Sequence, residues 1–382
     1  MKHLSFILVL SVLMVAGNSA IARTWSVEQD GSGDWVTIQE AVDASASGDT
    51  IMIGAGRYSE LHPAPNGTTV VAYLSEAKDL TIIGAGRDEV VIGPESFVED
   101  SILFFFDVLS AFSVSGVQFV NAHEGFRSYG GGGFSQCTFG GCWIGGMLLG
   151  GDVGVSDCLF IPPVPAPITT NALVFFNSSS VLIEACQFAN LEIYIEGASN
   201  STVRDCVFEH TNGNNQVLSI NFVSSNGLVE GISTDGWVNC QGNSHVVLMG
   251  NRFDPGLATK KLKVSEQYAS VEIYDNYFAG ASYSTLSLQS GASVSGSGNH
   301  VLNDTSGGYS VKLYGYGLYG NNPVVDLRNN YWGTDDSSQI DTWIYDIHDD
   351  PDEDTEVLYQ PFSDVPLPTE KESLGSFKSL YR

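Results

Sequence analysis

A six-residue pattern returns along almost the whole chain and limits what it can fold into. At residues 203–208 it reads VRDCVF: an apolar residue, two of any kind, then Cys, Asn or a small apolar residue, one of any kind, and an aromatic. The pattern stands upstream at 183–188, 155–160, 134–139 and 114–119, and downstream at 248–253, 273–278 and 327–332. Residues 229–234 and 296–301 fit it less well but fill the gaps. Intervals of 19 to 31 residues match one coil of a solenoid and are too short for a propeller blade. Period-2 alternation, many Val, Ser, Thr, Phe and Tyr, and turns marked by Gly and Asn predict several short strands per coil. Stacked in register, each aromatic would lie on that of the next coil, ~4.8 Å away. The Cys or Asn position would be an inward turn residue, with Asn bonding to the backbone and Cys serving as a small buried hydrophobe. About ten such coils would make a rod roughly 50 Å long.

Before the first coil the pattern changes. Residues 25–27 read as a strand, 30–33 as a turn, and 37–44 place Ile38, Ala41 and Val42 at helical spacing. A solenoid leaves its first coil with an open apolar end and exposed strand edges, so this short helix is expected to cap it. Ahead of it, residues 1–22 have a short basic start, an apolar run over 4–16 and a small-residue exit. They are expected to be a cleaved secretory signal peptide, because the run falls short of the ~20 apolar residues that span a bilayer. The expected division is 1–22 signal peptide, 23–362 solenoid domain with caps at 23–60 and 333–362, and 363–382 linker and tail.

Residues 35–43 (WVTIQEAVD), 48–51 (GDTI) and 56–60 (GRYSE) resemble the opening of secreted right-handed parallel β-helix proteins of the pectin lyase-like superfamily. Residues 80–86 (LTIIGAG), the repeated unit and 329–333 (NNYWG) continue the resemblance to bacterial members through about residue 362. The resemblance implies an all-β, right-handed parallel β-helix, an exported or cell-surface location and a glycan lying across one long strand face. It does not imply one activity, since the framework carries lyases, hydrolases, esterases, epimerases and non-catalytic surface proteins. The catalytic segments of pectin methylesterases, pectate lyases and polygalacturonases have no counterpart here.

The net charge of −28 disfavours nucleic acid and anionic membrane surfaces as partners, and polyanionic glycans as well unless Ca²⁺ bridges the two. No later stretch reads as a membrane span, and a monomer is expected. Cys137, Cys158, Cys186 and Cys206 occupy the ladder position, with Cys142 and Cys240 elsewhere. Buried thiols are expected rather than a disulfide framework, because parallel in-register neighbours do not aim their Cβ atoms at each other. No spacing resembles a zinc site.

Alternation along each strand names the outward residues. With Ile193 and Ile195 inward, Glu192, Tyr194 and Glu196 face out. The same rule turns out Ser219 and Asn221, Lys261 and Lys263, and Lys312 and Tyr314, with Trp237 and Asn239 on the coil between. If the chain cleaves a glycan, Glu192 or Glu196 would be the base and Lys263 the stabiliser of a uronate or enolate. Tyr194, Asn221, Trp237, Lys312 and Tyr314 would bind substrate, the aromatics offering flat apolar area to sugar rings. Asp349, Asp350 and Asp352, in the carboxylate-rich run 346–356, could hold Ca²⁺, although the fold requires no cofactor. Three functions stay open: binding of an extracellular polysaccharide without catalysis, a polysaccharide lyase or glycoside hydrolase, and a structural or adhesive rod.

Overall fold

The computed structural model describes residues 22–163, 170–210, 218–256, 258–289, 291–303, 308–315, 323–353 and 355–365. The expected signal peptide, apart from its last residue, and the tail beyond residue 365 lie outside the described residues.

The chain winds into a parallel β-helix with three sheets. The first has 13 strands, from Thr24–Val27 to Val325–Asp326, the second 11, from Gly56–Tyr58 to His300–Val301, and the third 14, from His62–Pro63 to Ile344–Tyr345. Neighbours within a sheet come from successive coils and pair in parallel, apart from the antiparallel pair His62–Pro63 with Thr69–Val70. This is the coiled parallel architecture that the repeat implies. The second sheet makes about eleven coils, one more than expected.

The ladders form where the repeat places them. Phe119, Phe139, Phe160, Phe188 and Phe208 stack with ring centroids 4.6 to 5.1 Å apart, and Phe253 stacks on Phe278 at 4.7 Å. The break lies at Thr234, one of the two weaker repeats. Its Oγ1 lies 2.8 Å from Ser219 Oγ and accepts from Gly236 N at 2.9 Å. All six cysteines are buried and free.

The N-terminal helix Ile38–Ala44 begins with a capping box between Thr37 and Glu40 and buries Ile38, Ala41 and Val42. The buried Lys78 donates from Nζ to Val42 O at 2.8 Å and Ser45 O at 3.0 Å, so a cation closes the helix's carbonyl end. At the other end a short helix, Ser337–Asp341, buries Ile340 and leads into Ile344–Tyr345, the last strand of the third sheet. No helix of the described residues is long and apolar enough to cross a membrane.

Candidate functional site

The third sheet carries the candidate residues, and register places them in rows along the solenoid. One outward row runs Tyr194, Asn221, Asn239, Lys263, Ser287, Lys312 and Tyr345, one residue per coil. The row beside it includes Phe176, Glu196, Val223, Gln241, Ser265, Gln289 and Tyr314. Between the two rows Ile195, Phe222, Val264, Leu288 and Leu313 point into the core.

The upper end of the face is acidic. In the strand Glu192–Glu196, Ile193 and Ile195 are fully buried, and Glu192, Tyr194 and Glu196 are half-buried, as alternation predicts. Tyr194 donates its hydroxyl to Glu196 Oε2 at 2.7 Å. Burial pushes the Glu192 carboxyl from an ordinary 4.5 up to about 7. Burial, then the bond to Glu196, raise the Tyr194 hydroxyl to about 12. Below them Asn239 Nδ2 donates to Asn221 Oδ1 at 2.9 Å, bridging two coils with neutral amides.

The lower end is basic and aromatic. Lys312 Nζ donates to Tyr283 Oη at 2.8 Å and lies 4.7, 5.2, 5.0 and 5.1 Å from the ring centroids of Tyr283, Tyr309, Tyr314 and Tyr345. These rings come from two neighbouring strands, Tyr309–Tyr314 and Ile344–Tyr345, and the segment just before a third, Ser284–Gln289, so only the coiled chain gathers them. The Lys312 ammonium, with help from Tyr314, holds the Tyr283 hydroxyl below its ordinary value, whereas burial raises that of Tyr314. Two coils up, Lys260 Nζ sits 4.7 Å from the Trp237 ring. Burial, then the neighbouring Lys263 charge, lower the pKa of Lys260. Such cation–aromatic contacts contribute about 0.5–2 kcal/mol each, depending on solvation.

The expected catalytic group does not close up as one site. Lys263 stands three coils below Tyr194 in the same row, ~14 Å along the axis. Glu192 and Glu196 lie on one strand with Glu196 bonded to Tyr194. Trp237, Lys263, Lys312 and Tyr314 gather at the basic end, and Tyr194 and Asn221 stay at the acidic end.

Two outward assignments are corrected. Lys261 is fully buried, and its Nζ donates to Asp254 O at 2.6 Å and Asp235 O at 3.0 Å inside the turn. Its strand begins only at Leu262, so alternation counted from residue 261 starts one position too early. Ser219 is fully buried because the register shifts between Leu218 and Ile220, which turns the residue between them inward. At the carboxylate-rich run, Asp349, Asp350 and Asp352 do not converge on a metal position, and no group of three or more His, Cys, Asp or Glu side chains among the described residues does so. Asp350 instead accepts from Tyr345 Oη at 3.0 Å and Asp352 N at 3.1 Å, and the buried Asp346 accepts from His348 N and Val357 N at 2.9 Å. These carboxylates hold the C-terminal cap together. His210 is buried against Asp235, with Nδ1 2.7 Å from Oδ1, at a turn away from the outward rows.

Lys260, Tyr283, Tyr309 and Tyr345 were missed by the sequence reading. Alternation counted from Lys312 would turn Tyr309, three residues earlier, inward; it shares the face because Ser310 and Val311 are both buried and the alternation breaks between them. Tyr345 lies in the cap, where no repeat fixes the register.

No protein-family model matches the chain, and no curated protein matches it. Among solved structures it is similar to the alginate lyase from Paenibacillus sp. strain FPU-7, at 13% identity over 81% of this chain and 94% of that one, with a TM-score of 0.40. It is similar to the pectate lyase Pel9A at 14% identity over 79% and 81%, with a TM-score of 0.38, and to the pectin methylesterase from carrot at 14% over 77% and 89%, with a TM-score of 0.30. At these identities the likeness concerns the coiled architecture alone.

Proposed function

We propose that the protein is an exported β-helix that binds an acidic polysaccharide along the lower half of its third sheet. The observation that carries this reading is the alignment on one face of two cation–aromatic clusters, Lys260 on Trp237 with Lys263 on the next coil, and Lys312 among four tyrosines two coils further, in a chain of net charge −28. Ammonium groups pair with carboxylates by charge-assisted hydrogen bonds, and aromatic faces give sugar rings flat apolar area. The overall negative charge is compatible with an anionic ligand because free charges farther than a Debye length, ~8 Å at physiological salt, are largely screened. Export rests on the composition of residues 1–22.

Titration calorimetry with a soluble polyuronate and a neutral glycan of the same length tests this reading. The polyuronate should bind, the neutral glycan should bind at least about tenfold more weakly, and Lys263→Gln with Lys312→Gln should remove the difference, a loss of about 1.4 kcal/mol or more. Equal binding of both glycans, or binding unchanged in the double variant, would overturn it.

Catalysis is the second reading, favoured by Glu192. A carboxyl that titrates near 7 is poised to give or take a proton at neutral pH. It ranks second because Lys263, the proposed charge stabiliser, stands three coils away. Incubation with uronate and neutral glycans, following both 4,5-unsaturated product absorbance and new reducing ends, tests it. Turnover lost in Glu192→Gln would support it, and no turnover on either class would remove it.

A further inference from the structure

The spacing of the cations specifies more than their sign. Lys260 and Lys263 belong to one coil, Lys312 to the coil after next, and the coil between presents Ser287 and Gln289 in the corresponding outward positions. Residues 284–289 contain no charged side chain, and Ser287, which stands between Lys263 and Lys312 in the row, is small and buried. Along the axis, therefore, the row reads cation, neutral, cation, with ~9.6 Å between the charged positions at the usual strand spacing.

A sugar ring in an extended pyranose chain is close in length to one coil. A glycan lying along the row thus advances by about one sugar per coil and meets an ammonium at every second sugar. We infer, resting on the acidic-polysaccharide reading above, that this face engages only the anionic groups at every second sugar, so that a disaccharide repeat of one uronate and one uncharged residue satisfies it as fully as a homopolyuronate does. The intermediate sugar lies beside Gln289, whose half-buried amide is a neutral polar partner, and a carboxylate there finds no cation. One Lys312 donor is used on Tyr283, and an ammonium has three, so the same side chain can hold the ring and meet the ligand. The tyrosines around it fix the ammonium's position and limit the entropy lost when a carboxylate arrives. Upward the row continues through Asn239 and Asn221 to Tyr194, flanked on its strand by Glu192 and Glu196, where a carboxylate would be repelled. The anionic part of the ligand is therefore confined to the lower coils.

Register and plain charge attraction make opposite forecasts for charge density. Attraction without register predicts that a homopolyuronate, with twice as many carboxylates, binds more tightly and with a steeper salt dependence. Registered binding uses the same two lysine positions for either polymer. The probes are a heparosan hexasaccharide, in which glucuronate alternates with N-acetylglucosamine, hexagalacturonate, and cellohexaose as the neutral control, all titrated into the full mature chain. The expected result is that the alternating hexasaccharide binds no more than about fivefold more weakly than hexagalacturonate, with equal salt slopes, and that both exceed cellohexaose by about tenfold. Lys312→Gln should weaken the two acidic probes alike, and unchanged far-ultraviolet circular dichroism would show that the coils are retained. Hexagalacturonate binding more than about fivefold tighter, with a steeper salt slope, would overturn the alternating register while leaving the acidic-glycan reading in place. Neither acidic probe exceeding cellohexaose would overturn both.

Discussion

In the coils from Cys137 to Cys206 the inward turn column is filled by thiols, whereas from Asn251 to Asn330 it is filled by amides, and the outer face changes along with it. The strand after Cys186 carries Glu192, Tyr194 and Glu196, while the strands after Asn251, Asn276 and Asn299 carry Lys263, the neutral Ser287 and Gln289, and Lys312 with Tyr314. Inside, Asn251, Asn276, Asn299 and Asn330 form a continuous chain. Each of the first three donates its backbone N–H and its Nδ2 to the next Oδ1 at 2.8 to 3.0 Å. The cysteines instead aim Sγ at the carbonyl two residues back in their own turn, at 3.2 to 3.4 Å for Cys137, Cys158, Cys186 and Cys206, and reach the preceding coil only at longer range, 3.6 Å for Cys137 to Val114 O and 3.9 Å for Cys206 to Ile183 O. One half closes its corner with an amide chain that runs from coil to coil, and the other with weak thiol contacts made mostly within each turn. The half closed by the amide chain carries the basic face.

This contrast can be broken from either side. Asn276→Ala leaves the Asn251 backbone N–H and the Leu248 carbonyl without their amide partner and removes one of the two Asn251 Nδ2 bonds, leaving that to Val229 O. Unfolding in denaturant should show a loss of about 4 kcal/mol, from roughly 1–3 kcal/mol per orphaned buried group. A loss below about 1 kcal/mol would mean that water or a neighbour replaces the amide, and the two ladders would then be equivalent.

Glu192→Gln sharpens the contrast on the acidic face, and the sign follows from the direction of the shift. The folded-state carboxyl titrates at about 7 against an ordinary 4.5, so the native chain holds a proton that the unfolded chain releases between those values. Stability therefore falls as pH rises through that window, and the penalty is complete above about 7. The glutamine variant should match the parent near pH 4 and exceed it at pH 8 by up to roughly 3 kcal/mol. Equal stability of the two at pH 8 would show that Glu192 is solvated.

Cys186→Ala should cost only about 1–2 kcal/mol, as a small cavity without an orphaned donor. Consistent with burial of all six thiols, a maleimide should label none of them before unfolding. The smallest effect is expected one residue earlier. Ala185 has φ 53° at the position where Gly231 and Gly250 serve in later coils. Left-handed backbone strains a Cβ, so Ala185→Gly should stabilise the chain by about 0.5–1 kcal/mol, net of glycine's unfolded-state entropy. A destabilised variant would show that the turn tolerates its alanine without strain.

Sequence by itself determined the coil, because the repeat is a core pattern: Phe188 and Phe208 must stack once the strands pair, and Cys or Asn must turn inward beside them. It also determined the N-terminal cap, where helical spacing at Ile38, Ala41 and Val42 and a local Thr37–Glu40 capping box need no distant partner. Local alternation placed Glu192, Tyr194, Glu196, Lys312 and Tyr314 correctly on the outer face. Tertiary structure decided where alternation fails. The register shift at Leu218/Ile220 turned Ser219 inward, and the late strand start at Leu262 drew Lys261 into the core, where backbone carbonyls take its ammonium. It alone set which charges meet, separating Lys263 from Glu192 by three coils and closing Tyr283, Tyr309, Tyr314 and Tyr345 around Lys312. The physical reason is that a strand's inward and outward residues follow from its own period of two, whereas neighbours across coils depend on how many residues each turn consumes. That number is fixed only when the coils pair.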